Sequence, residues 1–169
     1  MILKRLFRPR EMPEQRLYEA IVAAARHTNF YENMGVPDTI EGRFEMVVLH
    51  LFLVLRRLKS ADVEKLRQSL TDMFFSDMDG SLREFGVSDV TVGKKVRKLA
   101  ESYYGRVTAY DKALNSSIGN LEAAIGRNIY PDGAPENMIN SMANYVVSAI
   151  KILEQQSHEQ ITKGDLKFQ

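Results

Sequence analysis

Residues 38–58 read D-T-I-E-G-R-F-E-M-V-V-L-H-L-F-L-V-L-R-R-L. From Phe44 to Leu55 every position is apolar except Glu45 and His50, and Arg43, Arg56, Arg57 and Lys59 bracket the run. A helix that crosses a membrane needs about 20 apolar residues, whereas a run of about 10–14 is typical of a helix buried in a globular core. A helix apolar on nearly all sides must be covered on nearly all sides. The stretch therefore predicts a central core helix. Asp38 followed by Glu41 resembles a capping box, in which each side chain satisfies a free backbone donor, and it places the helix start near Asp38 and its end near Leu58.

The flanking sequence supplies the covering helices. Pro13 can open a first helix, because its missing N–H has no partner in a first turn anyway. Leu17, Ile21, Ala24 and Thr28 then recur at helical spacing until Asn33, Gly35 and Pro37 interrupt. After the central run, Ser60 and Asp62 can start a third helix facing inward with Val63, Leu66, Leu70, Met73 and Phe74. Asp77–Gly80 reads as a break, and Ser81 with Glu84 as a second capping box for a short helix ended by Gly86. Ser88 and Asp89 open the longest helix, in which Val92, Val96, Leu99, Tyr103, Val107, Tyr110 and Leu114 alternate by three and four. A break over Asn115–Gly119, a short helix over Leu121–Arg127 and a turn over Tyr130–Gly133 follow. Pro135 begins a last long helix with Met138, Met142, Tyr145, Val146, Ala149, Ile150 and Leu153 on one face. No segment alternates with period two. The expectation is an all-α, single globular domain of about seven helices around the buried second one. It divides into a basic, apolar arm (1–12), the helical domain (13–157) and a polar, loosely held tail (158–169).

Composition narrows the chemistry. The chain has 169 residues, with 23 Lys+Arg against 22 Asp+Glu, no Cys and no Trp. A chain of that length buries roughly two-thirds of the surface it exposes when unfolded, so it needs no covalent staple. The absence of Cys excludes disulfides, thiolate metal sites, iron–sulfur clusters and cysteine nucleophiles. A near-zero net charge argues against bulk attraction to nucleic acid.

The arm is the exception to that balance. Ile2, Leu3, Lys4, Arg5, Leu6, Phe7 and Arg8 combine cations with apolar side chains and include no acid. A secretory signal would continue into an apolar run of about 7–15 residues, but Glu11, Pro13, Glu14 and Glu19 intervene, and those acids also argue against a mitochondrial transit peptide. The arm suits an anionic membrane surface, where each cation contributes about 1 kcal/mol. The alternative is a terminus that packs on nothing.

Motifs for catalysis or metal binding are missing. Asp77-Met78-Asp79-Gly80 fails as a calcium loop, because placing Gly80 at loop position six puts Phe75 and Gly86 where carboxylates are needed. His50 has no His or carboxylate four residues away, which favours a core histidine bonded to a nearby acceptor over a ligand or general base. His27 and His158 are isolated, no nucleophile-elbow, zincin or phosphate-loop motif occurs, and no residue pattern calls for a cofactor.

Two surface candidates remain. Lys94, Lys95, Arg97 and Lys98 form a basic cluster on the first turns of the long helix, with Tyr103 and Tyr104 nearby as stacking surfaces for RNA; a solvated helix face is the bland alternative. Met73, Phe74, Phe75, Met78, Leu82, Phe85 and Val87 hold more large apolar side chains than one short helix can bury. Such a Met-containing surface adapts to another protein's helix, and core packing is again the bland alternative.

The run from Asp38 to Leu58 quoted above, together with M-F-F-S-D-M-D-G-S-L-R-E-F-G-V-S-D from Met73 and V-G-K-K-V-R-K-L-A-E-S-Y-Y-G-R-V-T-A-Y from Val92, resembles the ubiquinol-cytochrome c chaperone family. The blocks cover most of residues 30–115. The resemblance implies an all-helical, non-catalytic assembly factor of respiratory complex III that binds newly made cytochrome b. Mitochondrial members work with a small partner protein near the mitochondrial ribosome. Without their N-terminal extension this chain resembles a bacterial member, placed in the cytoplasm or peripherally on the cytoplasmic face of the inner membrane. The expected client groove lies where Met73–Val87 meets the long helix at Tyr103 and Tyr104, with the arm as membrane contact. An RNA- or ribosome-binding module using Lys94–Lys98 is the alternative.

Overall fold

A computed structural model describes residues 12–59 and 63–169. Among them the chain forms eight helices: α1 (Pro13–Ala25), α2 (Thr28–Glu32), α3 (Ile40–Arg57), α4 (Glu64–Glu84), α5 (Asp89–Leu114), α6 (Ile118–Ile129), α7 (Glu136–Gln155) and α8 (His158–Thr162). Two are five-residue turns, so the expected all-α architecture of about seven helices holds. No described helix is long and apolar enough to cross a membrane.

The central helix is α3, buried without interruption from Phe44 to Leu55 and covered by α1, α5, α6 and α7. Its start differs from the expected capping box. Thr39 is the N-cap, its hydroxyl accepting from the Gly42 N–H at 3.1 Å, while Asp38 accepts from Arg43 Nε at 2.7 Å on the surface. Gly42 is required there, because a Cβ would stand 1.9 Å from the Pro37 carbonyl oxygen.

The polar interruptions of α3 both find partners. His50 is fully buried; its Nδ1 donates to the Met46 carbonyl at 2.8 Å, so the neutral ring accepts at Nε2 from the Tyr145 hydroxyl at 2.6 Å. Burial pushes its pKa down to about 4. Glu45 meets Arg106 of α5, whose Nε lies 2.6 Å from Oε1 and whose Nη1 also donates to the Ser102 hydroxyl at 2.6 Å. Burial raises the Glu45 pKa more than Arg106 lowers it.

Three expectations are corrected. The first helix ends at Ala25, and His27 caps a separate α2, leaving Thr28 exposed. The Asp77–Gly80 break does not exist: α4 runs unbroken through it, and Ser81 and Glu84 form no capping box. One tertiary and one local bond hold that segment helical, since Asp77 accepts from the Tyr18 hydroxyl of α1 at 3.0 Å and Asp79 from Arg83 one turn on at 2.6 Å. The tail is not loosely held. Ser157 and Gln160 form a capping box for α8, and Ile161 and Phe168 are buried. Gln156 bonds both the N–H and the carbonyl of Lys167, which brings the Phe168 ring edge-on to His50 with centroids 4.9 Å apart. At Gly164 the backbone takes φ +79°, and a Cβ there would stand 3.0 Å from the Arg16 carbonyl.

Candidate functional site

Helices α4 and α5 form an antiparallel hairpin, and α4 packs on α1 and α5. It touches α3 through stacked rings: Phe44 of α3 lies 5.8 Å from Phe74, which lies 5.3 Å from Tyr103. Phe74 and Tyr103 are buried, and burial raises the Tyr103 pKa. These two expected contact residues are therefore the floor of the site and not its surface. Phe75, half-buried, stands edge-on to Tyr103 at 5.6 Å and faces Tyr104 at 6.4 Å; Tyr104 itself is 58% exposed. Spacing explains the split, because Phe74 and Phe75 differ by about 100° around α4, as Tyr103 and Tyr104 do around α5.

Beside this cluster lies a cavity of about 470 Å³ between α3, α4 and α5. Its apolar wall is Phe52, Leu55, Tyr103, Tyr104 and Val107, and its polar wall includes Arg56, Gln68, Thr71 and Asp111. Asp111 accepts from Arg56 at 2.6 Å and from Lys59 at 3.3 Å, so the polar end carries a partly neutralised cationic group. Volume and lining suit a ligand or partner side chains with an apolar body and a polar end. None of these polar residues is expected at a site from sequence, where Arg56 figures only as a cation bracketing the central run. Arg56 is separated from Asp111 by 55 positions, and no local pattern announces the pair.

The remaining expected residues lie along the rest of the hairpin. Met73 and Met78 pack partly against the core; Leu82 and Val87 are half-buried nearer the turn; Phe85 is exposed at the turn. The nine residues thus do not gather at one cavity: Tyr103 and Tyr104 line it, Phe75 adjoins it, and the others extend away from it. Lys94, Lys95, Arg97 and Lys98 are all exposed on α5. Ile2, Leu3, Lys4, Arg5, Leu6, Phe7 and Arg8 lie outside the described residues.

Residues 32–168, which take in seven of the eight helices wholly or at their final residue, match the family described as Ubiquinol-cytochrome C chaperone. The chain belongs to that family. It is a family of chaperones and not of enzymes. Over its whole length the chain superposes on a crystal structure of the Cbp3 homolog from Brucella abortus, with a TM-score of 0.85, 41% identity and 97% of that chain covered. It is 26% identical to Protein CBP3, mitochondrial, of Saccharomyces cerevisiae, over 82% of this chain and 44% of that protein. It is 22% identical to ubiquinol-cytochrome-c reductase complex assembly factor 1 of Xenopus laevis, over 82% of this chain and 71% of that protein. The chain spans about half the length of most curated relatives it matches. The chaperone family match includes the entire α4–α5 hairpin and its cavity.

Proposed function

We propose that this chain is a bacterial assembly chaperone for ubiquinol-cytochrome c reductase that captures newly made cytochrome b on the α4–α5 hairpin, at the cytoplasmic face of the inner membrane. One observation carries the reading: half-buried Phe75 and exposed Tyr104 lie over the buried rings of Phe74 and Tyr103, beside a cavity with one apolar wall. A membrane-protein client presents apolar helix faces before assembly, and an apolar groove with a firm floor shields such a face with little ordering cost. In this reading residues 1–12 act as a membrane-facing arm on the helical domain.

Tyr104→Asp and the double change Met78→Asp/Leu82→Asp test the face. Co-purification of cytochrome b from a respiring bacterium in mild detergent should be lost while far-ultraviolet circular dichroism stays helical; undiminished capture by both variants overturns the assignment. The RNA- or ribosome-binding alternative is favoured by the exposure of Lys94, Lys95, Arg97 and Lys98. Salt separates the two readings, because phosphate contacts weaken steeply as salt rises and apolar capture does not.

A further inference from the structure

The hairpin turn carries apolar side chains that nothing in the described structure covers. Phe85, just past α4, is 66% exposed, and Val90, in the first turn of α5, is 92% exposed. Val90, Lys94 and Arg97 follow one another by four and three residues and so share one helix face, with Lys98 on its flank and Lys95 farther round, toward the Val92 side. None of the four cations makes an ion pair or hydrogen bond among the described residues. The neighbouring acids are mostly occupied. Arg83 bonds both Asp79 and Asp89, which leaves Glu84 as the uncommitted acid between residues 79 and 98. Val92, on the opposite side of α5, is buried apart from the main core. Arg83 thus ties α4 to the start of α5, while Phe85, Val90 and four cations are exposed.

We propose that the tip of the α4–α5 hairpin docks on an anionic lipid bilayer, with Phe85 and Val90 entering the headgroup–acyl boundary and Lys94, Lys95, Arg97 and Lys98 meeting lipid phosphates. Apolar insertion and cation attraction act together at such a surface, and long basic side chains reach the headgroups while their stems lie along apolar chains. The aliphatic character of Val90 decides against nucleic acid, where cations are interleaved with aromatic faces for the bases; Tyr103 is buried and Tyr104 belongs to the cavity. The docking is independent of the client and of the N-terminal arm.

The chain contains no Trp, so single substitutions give unambiguous reporters. Phe85→Trp and Val90→Trp, made in the full chain, are mixed with vesicles of phosphatidylglycerol and phosphatidylcholine carrying brominated acyl chains. Ile118→Trp, half-exposed at the start of α6 and away from the hairpin turn, serves as the control site. The tip reporters should shift to the blue and be quenched on anionic vesicles but not on pure phosphatidylcholine, and the control should not respond. Each cation contributes about fivefold at an anionic surface. Changing all four to Gln in the Val90→Trp chain should therefore lower the partition coefficient by about six-hundredfold. Vesicle binding with silent tip reporters would assign the contact to another segment and overturn the proposal. So would absence of binding, or a tip response to single-stranded RNA without one to vesicles.

Discussion

Arg106→Met isolates the ion pair that ties α5 to the core. The carboxylate of Glu45 is 6% exposed and Arg106 is its cationic partner, so the variant leaves a buried carboxylate without compensation. Its least costly response is to take up a proton. From the ordinary value of 4.5, a carboxyl kept neutral at pH 7 costs about 3.4 kcal/mol, at about 1.36 kcal/mol per pH unit. That is a ceiling, because burial already raises this carboxyl in the parent. A loss of about 2–3 kcal/mol at pH 7 is expected, in line with other broken buried pairs. The sign follows from linkage. A carboxyl whose folded pKa lies above its unfolded one contributes fully below the unfolded value and loses stability as pH rises toward the folded one. Removing Arg106 lifts the folded pKa further, so the deficit grows with pH and should shrink to roughly 1 kcal/mol at pH 5. Met keeps the aliphatic stem but gives up the cation, whose centre lies 5.9 Å from the Phe44 ring centroid. Denaturant titration of parent, Arg106→Met, Glu45→Gln and the double variant at both pH values is the assay. Equal losses at pH 5 and 7, or no recovery on adding Glu45→Gln, would refute the reasoning.

Other consequences can be measured the same way. Phe168→Ala should cost about 3 kcal/mol, as for a buried ring, although it lies one residue from the end of the chain; a thermal midpoint like the parent's would contradict the packed tail. Because burial holds the folded pKa of His50 near 4 against 6.5 unfolded, the unfolded chain binds more protons in that window. Stability should rise with pH from 4 to 6.5 by about 1.4 kcal/mol per unit, and His50→Phe should flatten that slope in denaturant titrations at stepped pH. Two glycine replacements should act in opposite directions. Gly42→Ala meets the Pro37 carbonyl and should destabilise by about 2 kcal/mol. Gly80→Ala has open space inside α4 and should stabilise by up to about 1 kcal/mol; melting curves of the two variants decide both.

The fold class was legible because the deciding signal is periodic. Phe44–Leu55 announces its own burial, and the stripes of α5 and α7 identify the faces that cover it. Helix starts were legible at Ser88 and Pro135, which stand at the N-cap positions of α5 and α7, although neither makes a side-chain cap bond. Capping patterns misled where a more distant group competed: Arg43 takes Asp38, and Tyr18 and Arg83 keep Asp77 and Asp79 within a continuous helix. The tail was misread because two buried residues among polar ones carry no periodicity, and a single side chain, Gln156, holds the segment down.

By itself the sequence determined an all-helical chain with a buried central helix, no thiol chemistry and an apolar segment around Met73–Val87. Only the tertiary structure decided which of those apolar side chains are floor and which are surface. Adjacent residues on one helix turn by about 100°, so whether Phe74 or Phe75 is covered depends on where α3 and α5 lie, and no local pattern contains that. The same applies to the cavity at Arg56 and Asp111, and to the cations and apolar side chains gathered at the hairpin tip. Each is made by residues brought together from different helices, whose chemistry exists only once the core has placed them.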